Sequence, residues 1–297
     1  MVIDMLDPIK LGNGIVLFES RVEPTKDVIQ FLSEQKESAK QRHYSFTYDD
    51  NGDPLYATNK SGHRFQIEDI DKNCSRITDF YDHFNSKDIE NFFLECEATI
   101  YKTLLEYGSI YPMAIPCLWW KTMGHVLAYG PGSDLGLHCD NDINYQPGFE
   151  PDYQLGIRHV LASITYFNSS VDKYDGENFV GGEIHFPYAE VVYKPKAGDI
   201  LMFPANFVAT HEVFDVTEGE RYAYLEYFGQ GSSDDSRGIN IVHPREGLYG
   251  GQVWMPDLYK DYRDYIVSTY GEDDESDMLL SVSRKFHSHD TKQEVEK

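Results

Sequence analysis

Basic residues are scarce in this chain. Lys and Arg total 26 against 50 Asp and Glu, a formal charge of −24 over 297 residues. Such a surface repels phosphate backbones, and no local basic patch offsets it, so no nucleic-acid partner is expected. Cysteine is also sparse. Cys74, Cys96, Cys117 and Cys139 form no CxxC and no disulfide framework, which fits a reducing compartment. Long apolar runs are missing, and none approaches the roughly 18 residues of a membrane span. The N-terminal MVIDMLDPIKLGNGIVLF is acidic where a secretory signal would be basic. The expectation is a soluble, cytoplasmic protein with no membrane partner. Internal repeats are absent.

What is present divides the chain in three. Hydrophobic residues make up 41%, enough for one large or two small cores. Residues 14–18 read as a strand, and 25–41 as a helix with Val28, Phe31 and Leu32 among charges. Residues 48–63 are dense in turn formers and read as a loop. From Ser86, a candidate N-cap, residues Ile89, Phe92, Phe93, Cys96, Ile100, Leu104 and Leu105 recur at helical spacing, with Gly108 as the stop. From about 113 to 230, short runs of Val, Ile, Tyr, Phe and Trp alternate with Gly, Pro, Asp and Asn. Strands are predicted near 117–129, 135–140, 158–168, 182–193, 199–203, 211–214 and 221–229. This pattern indicates a sandwich or jelly roll rather than a parallel α/β sheet. Beyond 245 helical spacing returns at Leu258, Tyr262, Tyr265 and Ile266, before an acidic GEDDESD and a polar tail expected to be disordered.

One short motif carries chemistry. In a strand of period two, His138 and Asp140 share a face and can chelate one ion. Alone the motif is weak, because a chain this acidic with 11 histidines holds about one HxD by chance. A third ligand is expected from a later strand, and His159, His185 and His211 are the candidates. His211 is favoured because Arg221 follows it by ten residues. A hairpin turning through Asp215–Glu220 would set His211 across from Arg221. His185 has Pro195 at that offset, and His159 reads as a structural or surface histidine. Two histidines and a carboxylate suit non-haem Fe(II) with open positions, and a guanidinium suits a carboxylate co-substrate.

The segments AYGPGSDLGLHCDND, ITYFN, GGEIHFP, PKAGDILMFP, HEV and RYAYLEYF occur in an order that resembles the 2-oxoglutarate and Fe(II)-dependent dioxygenases. The similarity is to the prolyl 4-hydroxylase-like branch, over roughly residues 115–230. The resemblance implies an α+β protein with a mainly β core: a double-stranded β-helix (jelly roll) with flanking N-terminal helices. It places that core at 113–232, an N-terminal flank at 1–112, and a C-terminal helical extension and acidic tail at 233–297. It implies His138, Asp140 and His211 as the iron triad and Arg221 on the distal carboxylate of 2-oxoglutarate. By the same resemblance Tyr166 gives that carboxylate a hydroxyl and Tyr129 lines the iron pocket. Fe(II) would be the cofactor, 2-oxoglutarate and O2 co-substrates, and ascorbate a reductant.

The activity so implied is hydroxylation of an unactivated C–H bond, with succinate and CO2 as co-products. Related halogenases replace the triad carboxylate, so Asp140 favours hydroxylation. The resemblance points to a prolyl residue of a peptide or protein; a free amino acid or metabolite is the alternative substrate, and a non-catalytic jelly-roll module the third reading. Trp119, Trp120 and Tyr153 are either an aromatic groove for a polyproline II peptide or core residues. Residues 168–181 are either a lid or a long hairpin connection. Cys139 alternates away from the triad. Asn141 and Asp142 are outer-shell groups or loop formers, and a late HSHD string carries little weight. No reading of oligomeric state follows.

Overall fold

The computed structural model describes residues 6–59, 64–67, 76–77, 80–118, 120–141, 158–230 and 252–271. Two antiparallel sheets form its centre. The larger runs in the order Ile9–Gly12, Ile15–Phe18, Ile200–Pro204, Arg158–Tyr166 and Arg221–Gln230. The last strand has two partners on its far side: His125–Tyr129 along its first half and Trp120–Thr122 near its end. Arg76–Ile77 and Gln252–Trp254 extend these partners outward. The smaller sheet runs Val191–Tyr193, Ile184–Phe186, His211–Val213 and Leu135–His138. This is an α+β architecture with a mainly antiparallel β core.

Strand 221–230 reads RYAYLEYFGQ because both its faces are buried. Ala223, Leu225 and Tyr227 enter a core between the sheets, with Ile164, Phe186 and Phe203. Tyr222, Tyr224 and Phe228 enter a second core under the helices, with Phe31, Phe93 and Ile100. A strand with two apolar neighbours loses the polar half of its alternation.

The helices begin where their caps dictate. The Thr25 hydroxyl accepts the Val28 N–H and opens Lys26–His43. The Ser86 hydroxyl accepts the Ile89 N–H and opens Lys87–Ile110. Gly108 does not stop that helix, which runs on to Ile110. It is a contact glycine instead: an added Cβ would lie 2.7 Å from Ile115 and 3.0 Å from Tyr262. Leu258–Tyr270 forms the C-terminal helix, whose buried Leu258, Tyr262 and Ile266 close the second core.

Other expectations are corrected. In the described part of 48–63, residues 49–53 turn and Pro54–Asn59 then pairs with Tyr44–Tyr48, so the segment is not one loop. The turn formers Asn51, Gly52 and Asp53 sit directly before that strand and hid its start. The segment 182–193 is two strands separated by a 3-10 turn at Pro187–Ala189. Residues 211 and 221 do not face each other across a hairpin. Val216–Glu218 pairs with Val180–Gly181, so the chain leaves the small sheet after His211–Val213 and enters the large one at Arg221. Trp119, Asp142, Tyr153, the tail and its HSHD string lie outside the described residues. Trp120 is a strand residue opposite Gly229 and Trp254.

Candidate active site

Backbone register brings the first pair of side chains together. His138 and His211 are direct partners on adjacent strands, and their ring centroids lie 4.4 Å apart. Strand Leu135–His138 ends at the histidine, so Asp140 sits in the following turn and not on the strand face expected. It still reaches the same point. His138 Nε2 is 3.5 Å and His211 Nε2 3.9 Å from Asp140 Oδ1. Among the described residues, these three are the only group able to hold a metal ion, with ligand atoms within 4.8 Å of one another.

Both imidazoles are held in a ligating tautomer. His138 Nδ1 is 2.8 Å from the Gly136 carbonyl and His211 Nδ1 is 3.0 Å from the Ala209 carbonyl. A carbonyl only accepts, so each Nδ1 carries the proton and each Nε2 lone pair faces Asp140. Burial pushes the His211 pKa down, which keeps the ring neutral. Burial also pushes Asp140 up, but the neighbouring imidazoles of His138, His211 and His159 outweigh it, and its carboxyl stays below the usual value.

The second half of the site lies across the core. Arg221 is fully buried, and its Nε and both Nη atoms have no hydrogen-bond partner. Its guanidinium carbon lies 5.2 Å from the Tyr166 ring and 5.4 Å from the Tyr129 ring. The Tyr166 hydroxyl is likewise buried without a partner, and so is Asp140 Oδ2. Burial pushes the Tyr166 phenol up to about 12 against the pull of Arg221. Burial raises the Tyr129 phenol as well. An unpaired buried guanidinium is costly, and so are unsatisfied donors beside it. The donor set fits a divalent metal at the triad. The orphaned cation and phenol fit an anionic oxygen ligand between them.

The remaining candidates part from the site. His185 points to the outer face of the small sheet, where its Nδ1 meets Glu212 at 2.8 Å. The Cys139 thiol turns to Asn141, 3.6 Å away. Asn141 anchors the turn by donating its N–H to the Ala205 carbonyl. His159 is not a ligand but stands directly behind Asp140, with Nδ1 3.0 Å from the Asp140 carbonyl. Tyr227, absent from the sequence reading, places its hydroxyl 3.3 Å from Asp140 Oδ1. Period-two alternation from Arg221 through Ala223 and Leu225 was the signal that could have found it.

Residues 124–229 match the model of the 2OG-Fe(II) oxygenase superfamily. That superfamily is named for the two groups that the donor sets fit, Fe(II) and 2-oxoglutarate. The chain is 35% identical over 95 residues to a PKHD-type hydroxylase of Saccharophagus degradans, covering 32% of this chain and 38% of the relative. It is 34% identical over 109 residues to a PKHD-type hydroxylase of Pseudomonas putida, covering 37% and 44%. The chain thus spans about two fifths of the curated relatives it matches. Among solved structures, it aligns with the viral collagen prolyl hydroxylase of Paramecium Bursaria Chlorella virus-1 at a TM-score of 0.43 and 13% identity, over 74% of this chain and 98% of that one. It aligns with a Pseudomonas putida prolyl-4-hydroxylase at 0.40 and 14%, over 74% and 94%. No helix among the described residues is long and apolar enough to cross a membrane.

Proposed function

We propose that this protein is an Fe(II)- and 2-oxoglutarate-dependent hydroxylase acting on a prolyl residue of a peptide or protein. The observation that carries the chemistry is the pairing of a His138–Asp140–His211 cluster with a buried, unpartnered Arg221 and Tyr166 hydroxyl. The ordered motifs shared with the prolyl 4-hydroxylase-like branch support the choice of substrate.

In this reading His138, Asp140 and His211 hold iron, and Arg221 and Tyr166 bind the distal carboxylate of 2-oxoglutarate. Tyr129 packs against Arg221 and keeps water from it. The bound metal would supply the oxidation, coupling decarboxylation of 2-oxoglutarate to hydroxylation of a C–H bond. The chain's own task is to orient the co-substrate and exclude water from a buried site. Residues 113–232 are taken as the catalytic core, with 1–112 and 233–297 as flanks. Strands Ile9–Gly12 and Ile15–Phe18 give the N-terminal flank a place in the larger sheet.

The test is succinate release and mass spectrometry on proline-containing peptides with Fe(II), 2-oxoglutarate and ascorbate. A product heavier by one oxygen is expected, and His138→Ala should abolish it. Turnover driven by free amino acids but not peptides would move the substrate to a small molecule. No 2-oxoglutarate turnover under any condition would sink the oxygenase reading.

A further inference from the structure

Asp140 faces a problem that the two histidines do not. His138 and His211 are fixed by strand register, whereas Asp140 lies two residues beyond the end of its strand. Something else must set its position. Its turn is tied by Asn141 to the Ala205 carbonyl at 2.9 Å, which fixes the backbone on one side only. Two side chains from the larger sheet supply the rest.

Resting on the reading above, we propose that Tyr227 and His159 are positioning residues that together fix Asp140 as an iron ligand. Tyr227 donates its hydroxyl to Asp140 Oδ1 at 3.3 Å, the oxygen that faces both imidazole Nε2 atoms. That contact sets the rotation of the carboxylate. His159 donates Nδ1–H to the Asp140 backbone carbonyl at 3.0 Å and sets the height of the turn. The two rings stack at 3.8 Å and 5°, so each packs against the other. One ligand is thereby gripped at side chain and main chain by a single stacked unit.

The backbone is arranged for this. Ala162, Ile164 and Tyr166 face the inter-sheet core, so strict alternation would turn His159 to the opposite face. A register shift between His159 and Leu161 breaks the alternation there. Leu161 joins the core under the helices, Val160 packs against it, and His159 is re-aimed inward. Bulges that redirect one side chain beside a site are a recurring device. Tyr227 is pinned by its own N–H, which donates to the buried Thr122 hydroxyl at 2.9 Å.

Removing outer-shell partners typically costs 10–100-fold in metal affinity. The experiment is anaerobic titration of the apo-protein with Co(II), reading both affinity and ligand-field spectrum, with no turnover involved. Tyr227→Phe keeps the stacked ring and removes the hydroxyl; about tenfold weaker binding and a shifted spectrum are expected. His159→Leu should weaken binding similarly. His159→Asn, whose amide N–H can replace Nδ1–H, should recover most of the affinity. Thermal melts of each variant separate folding from positioning. Wild-type affinity and spectrum in both Tyr227→Phe and His159→Leu would overturn the inference while leaving the iron reading intact. Failure of the wild type to bind Co(II) or Fe(II) at all would overturn both.

Discussion

Arg221 and Tyr129 are cross-strand partners, and the Arg221 guanidinium carbon stands 5.4 Å from the Tyr129 ring. Register rather than side-chain freedom therefore sets where the buried cation points. Tyr166, one strand further, lies 5.2 Å from the same carbon, so two rings wall in a charge that has no acceptor of its own. The molecule keeps a costly unpaired charge at the place where a carboxylate ligand is proposed to bind. Stability without that ligand and affinity for it should then trade against each other.

Arg221→Met makes the trade measurable. Replacing a buried, uncompensated charge with an apolar side chain of similar length should stabilise the ligand-free protein by about 1–4 kcal/mol. The same change should abolish the rise in melting temperature that 2-oxoglutarate gives the wild type. Thermal unfolding with and without 2-oxoglutarate reads both effects. A variant less stable than wild type and still responsive to 2-oxoglutarate would contradict this account of Arg221.

Tyr166→Phe is a milder probe of the same contact. Its hydroxyl is buried and unpartnered, so deletion should leave ligand-free stability unchanged or slightly raised. One hydrogen bond to the co-substrate is worth about 1 kcal/mol, so KM for 2-oxoglutarate should rise about fivefold. Because the bond is made equally before and during reaction, kcat should hold. Steady-state kinetics varying 2-oxoglutarate decide it.

Gly182→Ala should disturb Arg221 from outside the site. Gly182 has φ of +65°, and an added Cβ would lie 2.9 Å from the Phe179 ring and 3.1 Å from Arg221 Cδ. Alanine is strained there, costing about 1–2 kcal/mol, and the guanidinium must shift. The expectation is a lower melting temperature together with weaker 2-oxoglutarate binding. Loss of stability with wild-type affinity would mean that the arginine is held by more than this packing.

How much of this was legible in the sequence depends on what fixes each residue. The meeting of His138 and His211 was legible in residue identity and motif order, although the hairpin read from the spacing of His211 and Arg221 does not form. Ser86 was legible as a cap because an N-cap is a local event. Three features were not. The strand Pro54–Asn59 was masked by turn formers at its edge. Gly108 looks like a helix stop unless its neighbours Ile115 and Tyr262, distant in sequence for the latter, are known. His159 read as a structural or surface histidine, and a single register shift turns it toward the candidate ligand Asp140 instead. Long-range packing and bulges leave little trace in periodicity, and the residues behind Asp140 depend on both.

The other face of the Arg221 strand carries a second buried ionisable group. Glu226 is buried under the long helix; its Oε1 meets Lys121 Nζ at 3.0 Å and the Tyr224 hydroxyl at 3.2 Å, while Oε2 has no partner. Burial pushes its pKa up to about 7, with Glu97 adding to the rise and Lys121 opposing it. An unfolded glutamate titrates near about 4.3. The native state therefore binds the extra proton between those values. Its stabilising effect is fully present at low pH, where both states are protonated, and is lost as pH rises through about 7. The loss is on the order of 3–4 kcal/mol. Glu226→Gln cannot ionise, so its stability relative to wild type should climb by about that amount from pH 4.5 to pH 8. Urea unfolding across that range reads the difference directly. A difference that stays flat with pH would show that Lys121 keeps Glu226 ionised throughout, and that the pair is a permanent ion pair rather than a titrating one.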